Sequence, residues 1–150
     1  FMVRGVIGAG FGYGGEELPV FERFFLGGIN TLRGFKEREV GPRAPKIDID
    51  TGLPIPGEYD VVGGDKELFF NFEFIFPLVK EAGIRGLIFS DIGNAFAEDE
   101  NIGEEFRYSI GVGVRWQSPM GPIRLEWGLN LDPKPGEKNS EFEFSFGSMF

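Results

Sequence analysis

The chain has neither cysteine nor histidine among its 150 residues. Disulfide staples, thiol nucleophiles, imidazole acid–base catalysis and the usual zinc ligand sets are thereby excluded. An excess of basic charge is missing too. The formal net charge is −9, and without clustered lysine and arginine there is no electrostatic footprint for nucleic acid. No apolar run approaches the roughly 20 residues of a membrane-spanning helix. No charged-then-apolar leader is visible, and the chain opens at Phe1 as though inside an element, so part of a larger domain is expected.

What is abundant is phenylalanine and glycine, 18 and 24 residues, and their placement follows a period of two. In "LFFNFEFIF", Leu68, Phe70, Phe72, Phe74 and Phe76 share one face, opposite Phe69, Asn71, Glu73 and Ile75. Such alternation marks an amphipathic strand. In "FRYSIGVGVRW", Phe106, Tyr108, Ile110, Val112, Val114 and Trp116 oppose Arg107, Ser109, Gly111, Gly113 and Arg115. "IRLEWGLN" sets Ile123, Leu125, Trp127 and Leu129 against Arg124, Glu126, Gly128 and Asn130, and "FEFSFGSMF" sets Phe142, Phe144, Phe146 and Phe150 against Glu143, Ser145 and Gly147. Two less regular segments, "FMVRGVIGAGFGY" and "IRGLIFSDIGNAF", bring the expectation to six strands. In the second, Ile84, Ile88 and Ile92 oppose Arg85, Phe89 and Asp91.

Two architectures present such strands. A soluble sandwich or barrel turns the apolar face inward, whereas a transmembrane barrel turns it to lipid and keeps charges and glycines in the lumen. Aromatic-rich faces spanning about 9 to 11 residues match a bilayer crossing. The opposite faces mix both charge signs with small residues, which suits a crowded polar lumen. Tyr13, Tyr108, Trp116 and Trp127 fall at or near strand ends, as in an interfacial girdle, with Trp127 less terminal than the others. These features favour the antiparallel transmembrane β-barrel.

Connection lengths alternate as well. "PLVKEAG" and "QSPMGP" are short and turn-like, while "AEDENIGEE" and "DPKPGEKN" are longer and acidic or rich in proline and glycine,. Short turns face the periplasm and long loops the exterior, which places Phe150 at the periplasmic rim. By this count residues 14–66 form a very long exterior loop, a length that points to function.

Other motifs carry less. "GAGFGYGG" lacks the Lys-Ser/Thr ending of a phosphate loop, and Gly8, Gly10 and Gly12 fall on one strand face. "DIDTG" and "EDENIG" have calcium-like oxygen spacing but do not continue to a bidentate glutamate, and read as solvated loops. Glu16, Glu17 and Asp91 are carboxylates without a nucleophile or oxyanion donors at a recognisable spacing. No enzyme, metal or cofactor is expected.

The motifs "GYGGEELPVFERFFLGGINTLRGF", "EVGPR", "FNFEFIFP", "FSDIGNAF" and "YSIGVGVRWQSPMGPIRLEWGLNL" occur in order and are followed by a terminal aromatic strand. Together they resemble the C-terminal barrel portion of the BamA family, outer-membrane assembly factors within the bacterial surface antigen and two-partner secretion transporter superfamily. The resemblance implies that residues 1–150 are the last six strands of a sixteen-stranded barrel, with the POTRA domains absent. It also implies that the loop bearing Leu32, Arg33, Gly34 and Phe35 folds back into the lumen. There its arginine meets acidic residues of the next two strands. Arg33 is therefore expected to reach Glu73, Asp91 or both, with Gly34 allowing a tight backbone path and Phe35 packing as a plug.

The implied function is folding and insertion of other barrel proteins into the Gram-negative outer membrane, templated at a seam whose final strand carries Phe142, Phe144, Phe146 and Phe150. The implied partners are outer-membrane lipid, unfolded barrel clients and, for a full-length protein, the lipoproteins of the assembly machinery. Two alternatives have the same fold: a two-partner secretion channel, and a passive structural barrel.

Overall fold

The computed structural model describes residues 1–147. Phe150, expected at the periplasmic rim and in the seam, lies outside the described residues. Among the described residues eight strands form: β1 (Met2–Ala9), β2 (Arg43–Ile47), β3 (Pro54–Val61), β4 (Lys66–Val79), β5 (Ile84–Phe96), β6 (Arg107–Ser118), β7 (Gly121–Asn130) and β8 (Ser140–Phe146). Six of them make one antiparallel sheet in the order β1-β4-β5-β6-β7-β8, and β2 pairs only with β3. These six are the strands expected from the alternation. Among the described residues, no helix is long and apolar enough to cross a membrane.

The sheet is inside out relative to a soluble fold. Phe72, Phe74, Ile88, Tyr108, Ile110, Val112, Leu125, Trp127, Phe142 and Phe144 are exposed, while Asn71, Glu73, Asp91, Arg107, Ser109, Arg115, Arg124, Glu126 and Asn130 are buried. Because strand side chains alternate, one register decides both outcomes. The register lines up Asn71, Asp91, Ser109 and Asn130 as one inward row across β4 to β7. Another inward row runs from Leu87 through Gly113 and Glu126 to Glu143. Large apolar residues on a continuous outer face are what a lipid environment selects.

Connections alternate between the two ends of the sheet. β4 turns into β5 through residues 80–83, where Gly83 N–H donates to the Lys80 carbonyl at 3.2 Å. β6 turns into β7 through Pro119 and Met120, with the Ser118 hydroxyl accepting the Met120 N–H at 3.2 Å. Residues 10–65, 97–106 and 131–139 make the long connections at the other end. Tyr108 and Trp116 sit near the two ends of β6, as a girdle requires. Trp127 is less terminal, as expected, and lies opposite Val112.

The β2–β3 hairpin inside the longest connection was not expected. Pro45, Pro54 and Pro56 interrupt any two-residue pattern there and argue against strands. A two-stranded ribbon tolerates them because half of its backbone N–H groups need no partner. "DIDTG" forms its tip: the Asp48 carboxylate accepts the N–H groups of Asp50 at 2.8 Å and Thr51 at 3.1 Å. Those two bonds hold the carboxyl of Asp48 below its ordinary pKa.

The outward face supplies a direct test. Val112, 51% exposed near the middle of β6, should tolerate Leu or Phe, but Val112→Arg should cost about 2–4 kcal/mol in a bilayer. Urea titration in lipid vesicles measures this, and an inconsequential arginine there would contradict a lipid-facing position.

Candidate functional site

The site is built on the segment between β1 and β2. Leu26 and Val40 pair as an isolated bridge, Gly28 N–H donates to the Phe35 carbonyl at 3.0 Å, and the segment closes on itself. Thr31 staples the closure, its hydroxyl accepting the Gly27 N–H at 2.8 Å and donating to the Gly27 carbonyl at 3.0 Å. Leu26, Leu32, Phe35 and Val40 gather with Phe69 of β4 into a small apolar core, with Val6 of β1 against it. This core lies on the polar side of the sheet, so the loop carries its own hydrophobic anchor inward.

Arg33 projects from that anchor and is 2% exposed. Its Nε and Nη2 donate to the two carboxylate oxygens of Asp91 at 2.7 and 2.6 Å, the paired geometry that a planar guanidinium fits. Its backbone N–H adds a third bond to Asp91 at 3.0 Å. Nη1 donates to Glu73 at 2.6 Å and to Glu126 at 2.9 Å. The guanidinium carbon stands 3.8 Å from the centre of the Phe89 ring, a cation–π contact in a desolvated setting. Burial alone would lower the pKa of Arg33, but hydrogen bonds and charge from Asp91, and then Glu126, outweigh it and raise the pKa above its ordinary value. Arg33 is thus a fixed cation.

The wall completes an alternating lattice of charge. Arg115 of β6 donates to Glu73 at 2.8 and 2.6 Å and to Glu126 at 3.0 Å. Arg124 of β7 donates to Glu126 at 3.1 and 3.3 Å. Three guanidiniums therefore share three carboxylates supplied by β4, β5 and β7. A buried ion is tolerated only when paired and hydrogen-bonded, and here each carboxylate meets at least one arginine.

Three wall side chains also hold the loop backbone. Arg124 donates to the carbonyl of Ile29 at 3.2 Å, Arg4 to that of Asn30 at 2.8 Å and Asn71 to that of Thr31 at 2.6 Å. Gly34 has φ = 86°, a left-handed conformation that glycine adopts without cost. It packs so closely on β7 that a Cβ at Gly128 would lie 2.5 Å from the Gly34 nitrogen. Phe35 is buried, and the Arg107 guanidinium lies 5.0 Å from its ring centre.

Leu32, Arg33, Gly34 and Phe35 are thus brought together with Glu73 and Asp91. Sequence reasoning missed Glu126, Arg115 and Arg124, although all three sit on recognised polar faces. It also missed the three donors to the loop carbonyls. Phe142, Phe144 and Phe146 point outward from β8, away from this cluster. Glu17 pairs with Arg23 at 3.2 Å instead of facing Asp91. The "EDENIG" loop is held by the Lys66 ammonium, which donates to the carbonyls of Glu98 at 3.0 Å and Glu100 at 2.5 Å.

A second buried hub lies among the long connections. Glu137, between β7 and β8, accepts from Arg107 at 3.1 and 2.5 Å, from Asn130 at 3.0 Å and from the Lys134 N–H at 2.9 Å. It also pairs with Arg43 of β2, and so ties the hairpin to β6 and β7. Burial pushes the Glu137 carboxyl up, but Arg107 and the Lys134 N–H outweigh it and hold the pKa below its ordinary value.

Two outcomes follow from these geometries. Arg33→Ala leaves three buried carboxylates short of a donor and should cost about 3–5 kcal/mol. The loop should then become open to trypsin at Lys36 and Arg38, with Arg33→Lys recovering little because an ammonium lacks the planar fork. Unchanged cleavage in detergent would mean that the apolar anchor holds the loop without the ions. For Glu137, a carboxyl depressed in the folded state contributes stability above its ordinary value of 4.5, and that contribution is lost as pH falls through the folded pKa. Amide exchange at Lys134, corrected for intrinsic rates, should accelerate on acidification below that value, and Glu137→Gln should flatten the dependence.

Residues 1–150 match the Omp85 superfamily domain throughout. The chain is 37% identical to outer membrane protein assembly factor BamA of Nitratidesulfovibrio vulgaris over 91% of its own length and 16% of that protein's. It is 30% identical to BamA of Neisseria meningitidis over 99% of its length and 21% of that protein's. It is also 30% identical to the chloroplastic outer envelope protein 80 of Arabidopsis thaliana over 73% of its length and 13% of that protein's. The chain therefore spans about a fifth or less of these curated relatives. The crystal structure of BamA from Haemophilus ducreyi lacking POTRA domains 1–3 superposes with a TM-score of 0.76 at 24% identity, over 95% of this chain and 30% of that one. With an outward apolar sheet, an inward ion cluster and these matches, the chain belongs to the Omp85 superfamily and forms part of a bacterial outer-membrane β-barrel.

Proposed function

We propose that the chain serves in folding and inserting other β-barrel proteins into the outer membrane, and that it does so by offering a strand edge as a template. The observation that carries this reading is the uneven bracing of the sheet. β4, β5, β6 and β7 are joined through Glu73, Asp91, Arg115, Arg124 and Glu126 around Arg33. β8 pairs with β7 over seven residues and contributes no ion pair to that cluster among the described residues. In hydrocarbon, an unpaired row of N–H and C=O groups is costly and is relieved by another strand. An unfolded client carries the same unmet groups, so pairing the two lowers the cost for both. The names of the relatives support assembly as the task, since those from N. vulgaris and N. meningitidis are assembly factors.

The work is done without covalent chemistry. Asp91, Glu73 and Glu126 are engaged by arginines, which leaves them poor candidates for a general base. Clients, lipid and the lipoproteins of an assembly machine are the partners this reading requires. The lumen loop acts as a brace that keeps the wall stiff while the edge exchanges.

The test is reconstitution of the full-length protein that carries this chain into liposomes, with a urea-unfolded barrel client added and its protease-resistant form followed over time. Folding should be faster than in empty liposomes and should need no nucleotide. Arg33→Ala should slow it. Ion conductance with no effect on client folding would instead identify a passive barrel, and export of a soluble passenger would identify a secretion channel.

A further inference from the structure

One carboxylate holds both the β2–β3 hairpin and the wall arginine that touches the lumen loop. Glu137 accepts from both Nη atoms of Arg107, at 3.1 and 2.5 Å, and pairs with Arg43 at the start of β2. Arg107 Nη2 also donates to the Asp132 carbonyl at 2.8 Å, and Arg43 Nη1 to that of Pro135 at 3.4 Å, so both arginines are seated on the β7–β8 connection. The side chains of Glu137, Arg107 and Arg43 are only 1%, 2% and 17% exposed. The contacts that enclose them are therefore supplied by this chain's own strands and connections.

Arg107 also meets the motif loop, its guanidinium carbon 5.0 Å from the centre of the Phe35 ring, within cation–π range. That ring packs with Leu26, Leu32, Val40 and Phe69, and a close-packed core transmits a displacement rather than absorbing it. Phe35 follows Arg33 by two residues, and Val40, whose N–H donates to the Leu26 carbonyl at 2.9 Å, precedes Arg43 by three. Residues 33–43 are thus held by a carboxylate at each end, Asp91 at Arg33 and Glu137 at Arg43. Arg107 links the interior of the segment to the second of these. Resting on the reading of the lumen loop as a brace, we propose that Glu137 and Arg107 are positioning residues that couple hairpin to brace. Contact between Arg43 and Glu137 keeps Arg107 against Phe35 and the loop tight on the wall; lifting the hairpin away loosens it.

Hydrogen exchange read by mass spectrometry on the full-length protein in liposomes tests the coupling. Glu137→Gln and, acting from the hairpin, Arg43→Ala should each speed exchange across residues 31–36 by about tenfold, the order of one lost hydrogen bond to a charged group. Heat-modifiable gel mobility confirms that each variant is folded, and Arg43→Lys, which keeps a cation for Glu137, should recover most of the protection. Faster exchange confined to the hairpin, residues 43–61, in both variants would overturn the coupling and leave the brace reading to stand on Arg33→Ala. Phe35→Leu removes the ring but keeps an apolar contact. In that background Glu137→Gln should no longer alter residues 31–36, and full additivity of the two changes would overturn the route through Arg107. A loosened loop in a variant that still folds clients at the unmodified rate would uphold the coupling and overturn the brace.

Discussion

One buried guanidinium organises this structure. Arg33 is removed from water on a loop, and that is tolerable only because Asp91, Glu73 and Glu126 reach it from β5, β4 and β7 at hydrogen-bond distance,. Each acid is inward-facing only in the observed register, because a slip of one residue would turn it to the outer face and bring a neighbour from that face inward. Loop position and sheet register therefore constrain each other. The tight approach of Gly34 to Gly128 follows from the same requirement, since a side chain at either position would push Arg33 away from its acids.

The packing inverts twice along a line from lipid to lumen. Outside are exposed phenylalanines and valines; next comes the ion lattice on the inner face of the wall; beyond it lies the small apolar core of Leu26, Leu32, Phe35, Val40 and Phe69. Neither apolar layer alone specifies where the loop sits. The lattice does, because ion pairs and hydrogen bonds are directional where hydrophobic contact is not. The carbonyls of Ile29, Asn30 and Thr31, each accepting a hydrogen bond from a side chain of a different wall strand, add the same kind of directional restraint to the backbone.

The strands were legible because a period of two with bulky aromatics on one face admits few readings, and Glu73 and Asp91 could be assigned to the inner face from their own strands alone. Glu126, Arg115 and Arg124 were on named polar faces too. Linking them to Arg33 needs the inter-strand register, and a single strand's pattern does not contain it. The β2–β3 hairpin was hidden by its prolines, which break the pattern without preventing a two-stranded ribbon.

The distribution of restraints decides where this wall can yield. β4 to β7 share side-chain ion pairs through the lumen, so displacing any one of them breaks buried charge contacts as well as backbone bonds. β8 contributes no ion pair to that lattice among the described residues, and pairs with β7 over seven residues from Ser140 to Phe146. Its inward Glu143 stands directly across the ladder from Glu126. Displacing β8 therefore breaks its ladder bonds without breaking that ion lattice. A rigid, charge-locked wall thus adjoins a strand that shares none of those ion pairs among the described residues.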